Sequence, residues 1–130
     1  MCSIDDGERP DVYRASTHRA AKQHKCEECS RAIEIGETYG YVFMVYEGRG
    51  WTFRTCQHCR VGQQWLSINC GGWMSAGLDD EMWEHIHEYP SVKFGLYRIV
   101  TGIRRGWKRF DCTGLMPVQP LPRTILEDAA

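Results

Sequence analysis

The chain has no apolar run approaching the roughly 18–20 residues of a membrane helix, so nothing in it is expected to span a bilayer. Its opening stretch, MCSIDDGERPD, is acidic and lacks an apolar segment, so no secretory signal is expected there. Net charge is also scarce: 16 basic against 17 acidic side chains leaves a formal −1, which does not suggest a general polyanion binder. The local signatures of common hydrolytic chemistry are missing. There is no His-Glu-x-x-His, no Gly-x-Ser-x-Gly and no paired-carboxylate site. The glycine-rich run CGGWMSAG at 70–77 is not followed by Gly-Lys-Ser/Thr, so it is no phosphate cradle.

Cysteine, by contrast, occurs in an informative pattern. Cys26/Cys29 and Cys56/Cys59 form two Cys-x-x-Cys pairs separated by 26 residues of strand-like sequence. Each such turn points two thiolates at one spot, and two turns supply the four soft ligands of a tetrahedral zinc. A redox pair would usually occur once, opening the first helix after a strand. Rubredoxin-like iron shares the spacing, but its knuckles usually continue into glycine, and here Ser30 and Arg60 follow. His24 and His58 lie beside the knuckles and are expected to flank the site rather than bind the metal. Cys2, Cys70 and Cys112 have no partner at metal spacing and are expected to be free or buried thiols. Cysteine used this way fits a reducing compartment, hence a cytoplasmic location. One structural Zn2+ is the expected cofactor, and four thiolates leave it no open position for water.

Around the cysteines the pattern reads knuckle, hairpin, knuckle, helix. Tyr39, Tyr41, Phe43 and Val45 alternate with Gly40, Val42, Met44 and Tyr46, a β-branched and aromatic run that predicts a strand. Gly48 and Gly50 supply a turn, and Trp51-Thr52-Phe53 resumes the strand. A helix follows the second pair, with Val61, Trp65 and Ile68 at helical spacing. Before the first pair, residues 12–25 hold alanines and basic residues, with Asp11 as an N-cap, and predict a short helix.

Beyond the finger, Asp79 or Asp80 caps an acidic helix over 80–89 carrying Met82, Ile86 and Tyr89 on one face, and Pro90 stops it. Ser91 caps another over 92–109, whose Val92, Leu96, Ile99, Val100, Ile103 and Trp107 share a face. Gly95, Gly102 and Gly106 fall on one flank of that face. Each helix-interior glycine costs up to about 1 kcal/mol against alanine, so another backbone is expected to approach closely, from this chain or a second copy. The expected fold is a single α+β zinc domain over 12–118, with a treble-clef-like finger at 24–69 and two or three further helices, the helical part spanning 70–110. An acidic disordered tail (1–11) precedes it and an extended tail (119–130) follows.

Charge is unevenly spread. Lys93, Arg98, Arg104, Arg105, Lys108 and Arg109 lie opposite the apolar face of the last helix, with Phe94 and Tyr97 among them and no acid between 92 and 110. Cations interleaved with aromatics suit phosphate contacts and base stacking, or an acidic protein partner. The alternative is a solvated face paired with Asp79, Asp80, Glu81, Glu84 and Glu88 of the preceding helix. Arg14, Arg19 and Lys22 form a second basic segment. His85 and His87 are two residues apart on a helix and cannot share a metal, so a solvated face is expected there.

The run HKCEECSRAIEIGETYGYVFMVYEGRGWTFRTCQHC resembles small four-cysteine zinc proteins encoded by bacteriophages and prophages. They show a His-x-Cys-x-x-Cys start, an Ile-x-x-Gly-Glu-x-Tyr step and a closing Cys-x-x-Cys. The later CGGWMSAGLDDEMWEHIHEY and GIRRGWKRFD segments are similar to their downstream part. The resemblance implies a fold, a phage-like origin and Cys26, Cys29, Cys56 and Cys59 as ligands; most such proteins have no assigned activity. The expected role is a non-enzymatic accessory or regulatory protein contacting nucleic acid, or a nucleic-acid-handling complex, through Arg98, Arg104, Arg105, Lys108 and Arg109, assisted by Arg14, Arg19 and Lys22. No small-molecule substrate is expected. An alternative is a protein–protein inhibitor of a host or defence factor anchored by Trp51 and Trp73. A second is a degenerate treble-clef nuclease, which the lack of histidine and asparagine between Cys29 and Cys56 disfavours.

Overall fold

The computed structural model describes residues 11–70, 77–88, 93–109, 111 and 113–122, and within them the chain is α+β. The expectations placed on the rest of the acidic tail, on Cys2, Trp73, Tyr89, Pro90, Ser91, Val92 and Cys112, and on the side chains of Cys70, Lys93 and Phe94 lie outside the described residues.

The predicted hairpin is present. β4 (Thr38–Tyr46) and β5 (Arg49–Cys56) pair antiparallel from Tyr39↔Cys56 to Tyr46↔Arg49. Their two-residue turn is Glu47-Gly48, both left-handed at φ 51° and 77°, which gives the twist that two-residue hairpins need. Gly50 belongs to β5 instead of the turn. The ring of Phe43 lies across it, with a ring carbon 3.5 Å from where a Cβ would stand.

The helix expected over 12–25 does not form. Residues Val12–Arg19 are a strand, β1, which pairs antiparallel with β4 from Val12↔Val45 to Arg19↔Thr38 and makes β4 the central strand. Asp11 caps nothing; its N–H donates to the Val45 carbonyl at 2.7 Å and extends the ladder. Val12, Tyr13 and Thr17 favour strands, and the free edge of β4 offers a partner to the backbone groups that face it, so tertiary pairing outweighs a weak helical preference. β2 (His24–Lys25) and β3 (Ala32–Ile33) form a small ribbon whose connecting turn carries the first cysteine pair.

Three helices complete the fold: α1 (Gln57–Cys70), α2 (Leu78–Glu88) and α3 (Lys93–Arg104). α1 buries Trp65 and Leu66, whereas Ile68 is 51% exposed. It approaches the other helices closely at Gly62, where a Cβ would stand 3.0 Å from Met82 Sδ and 3.1 Å from Leu78 Cδ2. The buried face runs through His58, Cys59, Gly62, Trp65 and Leu66, and Ile68 falls outside it. α2 begins earlier than expected, after Gly77 at φ 75°. Asp79 and Asp80 sit within its first turn, where negative charge suits the positive end of the helix dipole.

α3 buries Leu96, Ile99, Val100 and Ile103 as its periodicity predicts, and it packs chiefly on α2. It ends at Arg104, short of the expected 109, in a Schellman motif. The Trp107 N–H donates to the Gly102 carbonyl at 2.7 Å and the Gly106 N–H to that of Ile103 at 3.1 Å, with Gly106 left-handed at φ 62°. The indole of Trp107 folds back over Gly102, where any Cβ would lie 2.2 Å from a ring carbon. At Gly95 a Cβ would stand 2.9 Å from the Cβ of Pro122. The expected backbone approach is thus met within the chain mainly by side chains, Pro122 at Gly95 and Trp107 at Gly102. Among the described residues no helix is long and apolar enough to cross a membrane.

Candidate metal centre

The β2–β3 turn and the start of α1 bring the two cysteine pairs together. Tight turning at the first pair is fixed by Ser30 N–H donating to the Cys26 carbonyl at 2.9 Å and by the left-handed Ser30, φ 67°. Cys56 closes β5 and Cys59 lies in the first turn of α1, near the positive end of the helix dipole.

The four Sγ atoms lie within 4.8 Å of one another. Cys26, Cys56 and Cys59 are buried and Cys29 is partly exposed; all four are free thiols. Cys29 Sγ and Cys56 Sγ are 3.7 Å apart. That is far beyond a disulfide bond of about 2.05 Å. It matches the edge of about 3.8 Å that a tetrahedron with metal–sulfur bonds of about 2.3 Å requires. The four cysteines are positioned to coordinate a metal ion, compatible with zinc. Thiol–thiol hydrogen bonds, first of all those involving Cys26 and Cys29, hold Cys26 and Cys56 below the ordinary thiol range and drive Cys29 and Cys59 above it. Four neighbouring thiols cannot all ionise unaided, and a dication removes that conflict.

Donors surround the sulfurs. The Cys56 N–H donates to Cys26 Sγ at 3.3 Å, and the Trp107 indole N–H donates to Cys59 Sγ at 3.2 Å. The buried Arg31 guanidinium sits against the cluster and donates to both Glu37 oxygens, at 2.9 and 3.1 Å. Burial alone disfavours its charge, but Glu37 and the Cys56 thiolate outweigh this and hold Arg31 above its ordinary range. Arg31 also donates to His58 Nδ1 at 3.3 Å, so His58 carries its proton on Nε2 and gives it to the Met116 carbonyl at 2.6 Å. His58 thus flanks the site as expected, and His24 packs on Tyr39 with ring centroids 5.2 Å apart.

Residues between and after the cysteines acquire physical roles. Gly36 is left-handed at φ 91°, which lets Glu37 accept from the Glu34 N–H and grip Arg31. Glu28, inside the first pair, accepts from Gln63 of α1 at 3.1 Å and from the Leu78 N–H that opens α2 at 3.4 Å. Trp107, Arg31, Glu37 and Glu28 were not legible as parts of the site. Trp107 could have been found from the Gly106 stop signal, since a residue directly after a left-handed glycine folds back on its helix.

Of the expected cationic residues, Arg104, Arg105 and Lys108 line one pocket beside the first knuckle, together with Arg31 and Glu34. Arg104 donates to Asp79 at 3.1 Å, lies 3.6 Å from Asp80 and covers the ring of Trp83 at 5.2 Å. Arg105 and Arg109 follow the end of α3, so neither is on a helix face. Arg105 donates to the carbonyls of Lys108 and Arg109, and Arg109 to that of Leu115. Lys108 is exposed in the same turn, and Arg98 is exposed on α3. Arg14 and Arg19 project from β1, and Lys22 lies in the following bend. His85 is buried, its Nδ1 2.9 Å from the Glu81 carbonyl, so only His87 fits the expected solvated face.

No protein-family model matches the chain, and comparison with curated proteins and with solved structures finds no match.

Proposed function

We propose that this is a non-enzymatic zinc-binding protein in which one Zn2+, held by Cys26, Cys29, Cys56 and Cys59, fixes a treble-clef-like finger. The observation that carries the reading is the convergence of four sulfurs within 4.8 Å, with N–H donors at 3.2 and 3.3 Å behind them. Zinc would tie the β2–β3 turn to the start of α1, and its binding free energy adds to that of folding. Knuckle, β4–β5 hairpin and the second pair at the start of α1 follow in treble-clef order. The role is non-enzymatic because four thiolates complete the coordination of zinc and leave water no place on it. Cobalt substitution tests the ligand set. The reading requires the absorption of a tetrahedral tetrathiolate, lost stepwise in Cys→Ser variants; octahedral cobalt would contradict it.

The cysteine frame's resemblance to phage-encoded proteins supports an accessory or regulatory role inside a reducing host cytoplasm. The partner in this reading is nucleic acid, or a complex that handles it, met through cations left outside the Arg104–Asp79 pairing. Binding should fall steeply with rising salt. A second reading, capture of a host protein, draws on Trp51, which is 45% exposed beside the hairpin turn. Salt-insensitive association would favour it.

A further inference from the structure

Charge is segregated in this molecule. The chain as a whole carries a formal −1, yet β1, β4 and β5 contain no Asp or Glu while holding Arg14, Arg19, Arg49 and Arg54. Acids gather on α2 and around the knuckles, and Asp11 and Glu47 stand only at the ends of the strands, so the strands themselves carry positive charge alone.

The strand register sorts the sheet into two faces, because opposed residues of an antiparallel pair share a side. One face carries α1, with Arg60 lying 3.0 Å from the Cβ position of Gly40. The other has successive rows Arg14/Phe43/Thr52, Ser16/Tyr41/Arg54 and His18/Tyr39/Cys56. His24 packs on Tyr39 and closes the last row. In the rows above it Arg14, Ser16 and Thr52 are exposed, with Phe43 and Tyr41 half-buried between them. The Phe43 ring reaches Gly50, with ring carbons 3.5 and 3.8 Å from its Cβ position, and Arg54 lies over Tyr41 at 5.5 Å. Arg31 and Arg104 are paired with carboxylates, but neither Arg14 nor Arg54 is, among the described residues. The buried Arg54 Nε has no hydrogen-bond partner there either.

We propose that this face binds single-stranded nucleic acid, a deepening that rests on the nucleic-acid reading above. Phe43 and the Tyr41–Arg54 pair are stacking plates, and Arg14 and Arg54 take the flanking phosphates. The two plates stand two residues apart on one strand, about 6.8 Å, twice the rise of about 3.4 Å between stacked bases. Only bases already splayed can use both, and a duplex keeps its base faces hidden. An acidic protein would satisfy the arginines but gain nothing from that spacing.

The test is fluorescence anisotropy with a labelled oligonucleotide of roughly ten nucleotides, as DNA and as RNA, single-stranded and duplex, with polyglutamate as competitor. The wild-type protein is expected to prefer the single strand in at least one of the two chemistries. Thr52→Glu and Arg14→Glu alter exposed positions and are each expected to weaken binding by roughly tenfold or more, while Phe43→Ala loses on the order of ten- to a hundredfold. Each variant is checked for wild-type zinc content and circular dichroism. A Thr52→Glu, Arg14→Glu protein that folds and binds as wild type overturns the proposal, as does equal affinity for duplex or for polyglutamate. If binding is instead lost in Arg98→Glu, Lys108→Glu, the sheet is the wrong surface and the nucleic-acid reading survives. If no oligonucleotide binds, both fall.

Discussion

The indole N–H of Trp107 donates to Cys59 Sγ across 3.2 Å, joining the end of α3 to the metal centre. The link depends on chain reversal at Gly106, which turns Trp107 back under its own helix at φ 61°. Sequence punctuation, helix termination and site electrostatics are one feature here. Trp107→Phe keeps most of the ring and deletes the donor. It is expected to lower stability by about 1.5–3 kcal/mol, the scale of a hydrogen bond to a charged group, and to weaken zinc binding by roughly tenfold or more. Competition with a chelating dye measures the second effect. Unchanged zinc affinity in a folded variant would show the contact to be incidental.

Gly102→Ala gives a sign test of the same packing. In an exposed helix the change should stabilise by up to about 1 kcal/mol. Here the new methyl would meet the Trp107 ring at 2.2 Å, so a net loss of about 1–3 kcal/mol is expected. Urea unfolding reads the sign, and a more stable variant contradicts the indole's position.

Glu37 introduces a pH dependence of its own beside the cysteines. The Arg31 hydrogen bonds hold its carboxyl below the ordinary range, against a smaller opposing effect of burial. A lowered native value means that its stabilisation is full above the ordinary carboxylate range and fades as pH falls through the native value. The stability gap between wild type and Glu37→Gln should therefore be constant near neutrality and close on acidification through that window. Unfolding midpoints of both proteins against pH measure it. A gap that widens in acid would reverse the assigned direction.

The face of α1 yields a paired comparison. Leu66 is fully buried and Ile68 half-exposed. Leu66→Ala is expected to cost about 2–5 kcal/mol, whereas Ile68→Ala should stay near 0.5 kcal/mol, as at other surface positions. Equal costs in thermal unfolding would mean that Ile68 is covered.

The β4–β5 hairpin, the cysteine cluster and the apolar face of α3 were legible because each rests on local spacing: alternation, Cys-x-x-Cys and a 3.6-residue period. β1 was not, since its state is decided by the free edge of β4, far along the chain. Ile68 misled for the converse reason: an apolar residue at helical spacing was visible, while Gly62, which packs against Met82 and Leu78, carries no side chain to read. Arg31 and Glu37 carried no signal in the sequence, because only the fold buries the guanidinium between the carboxylate and the cysteine cluster.

Metal content with and without a chelator tests the central claim most directly. The account predicts one zinc per chain by elemental analysis, and loss of near- and far-ultraviolet circular dichroism when a strong chelator removes it, reversed by adding zinc back. A protein that carries no metal and keeps its full folded signal in the chelator would contradict it.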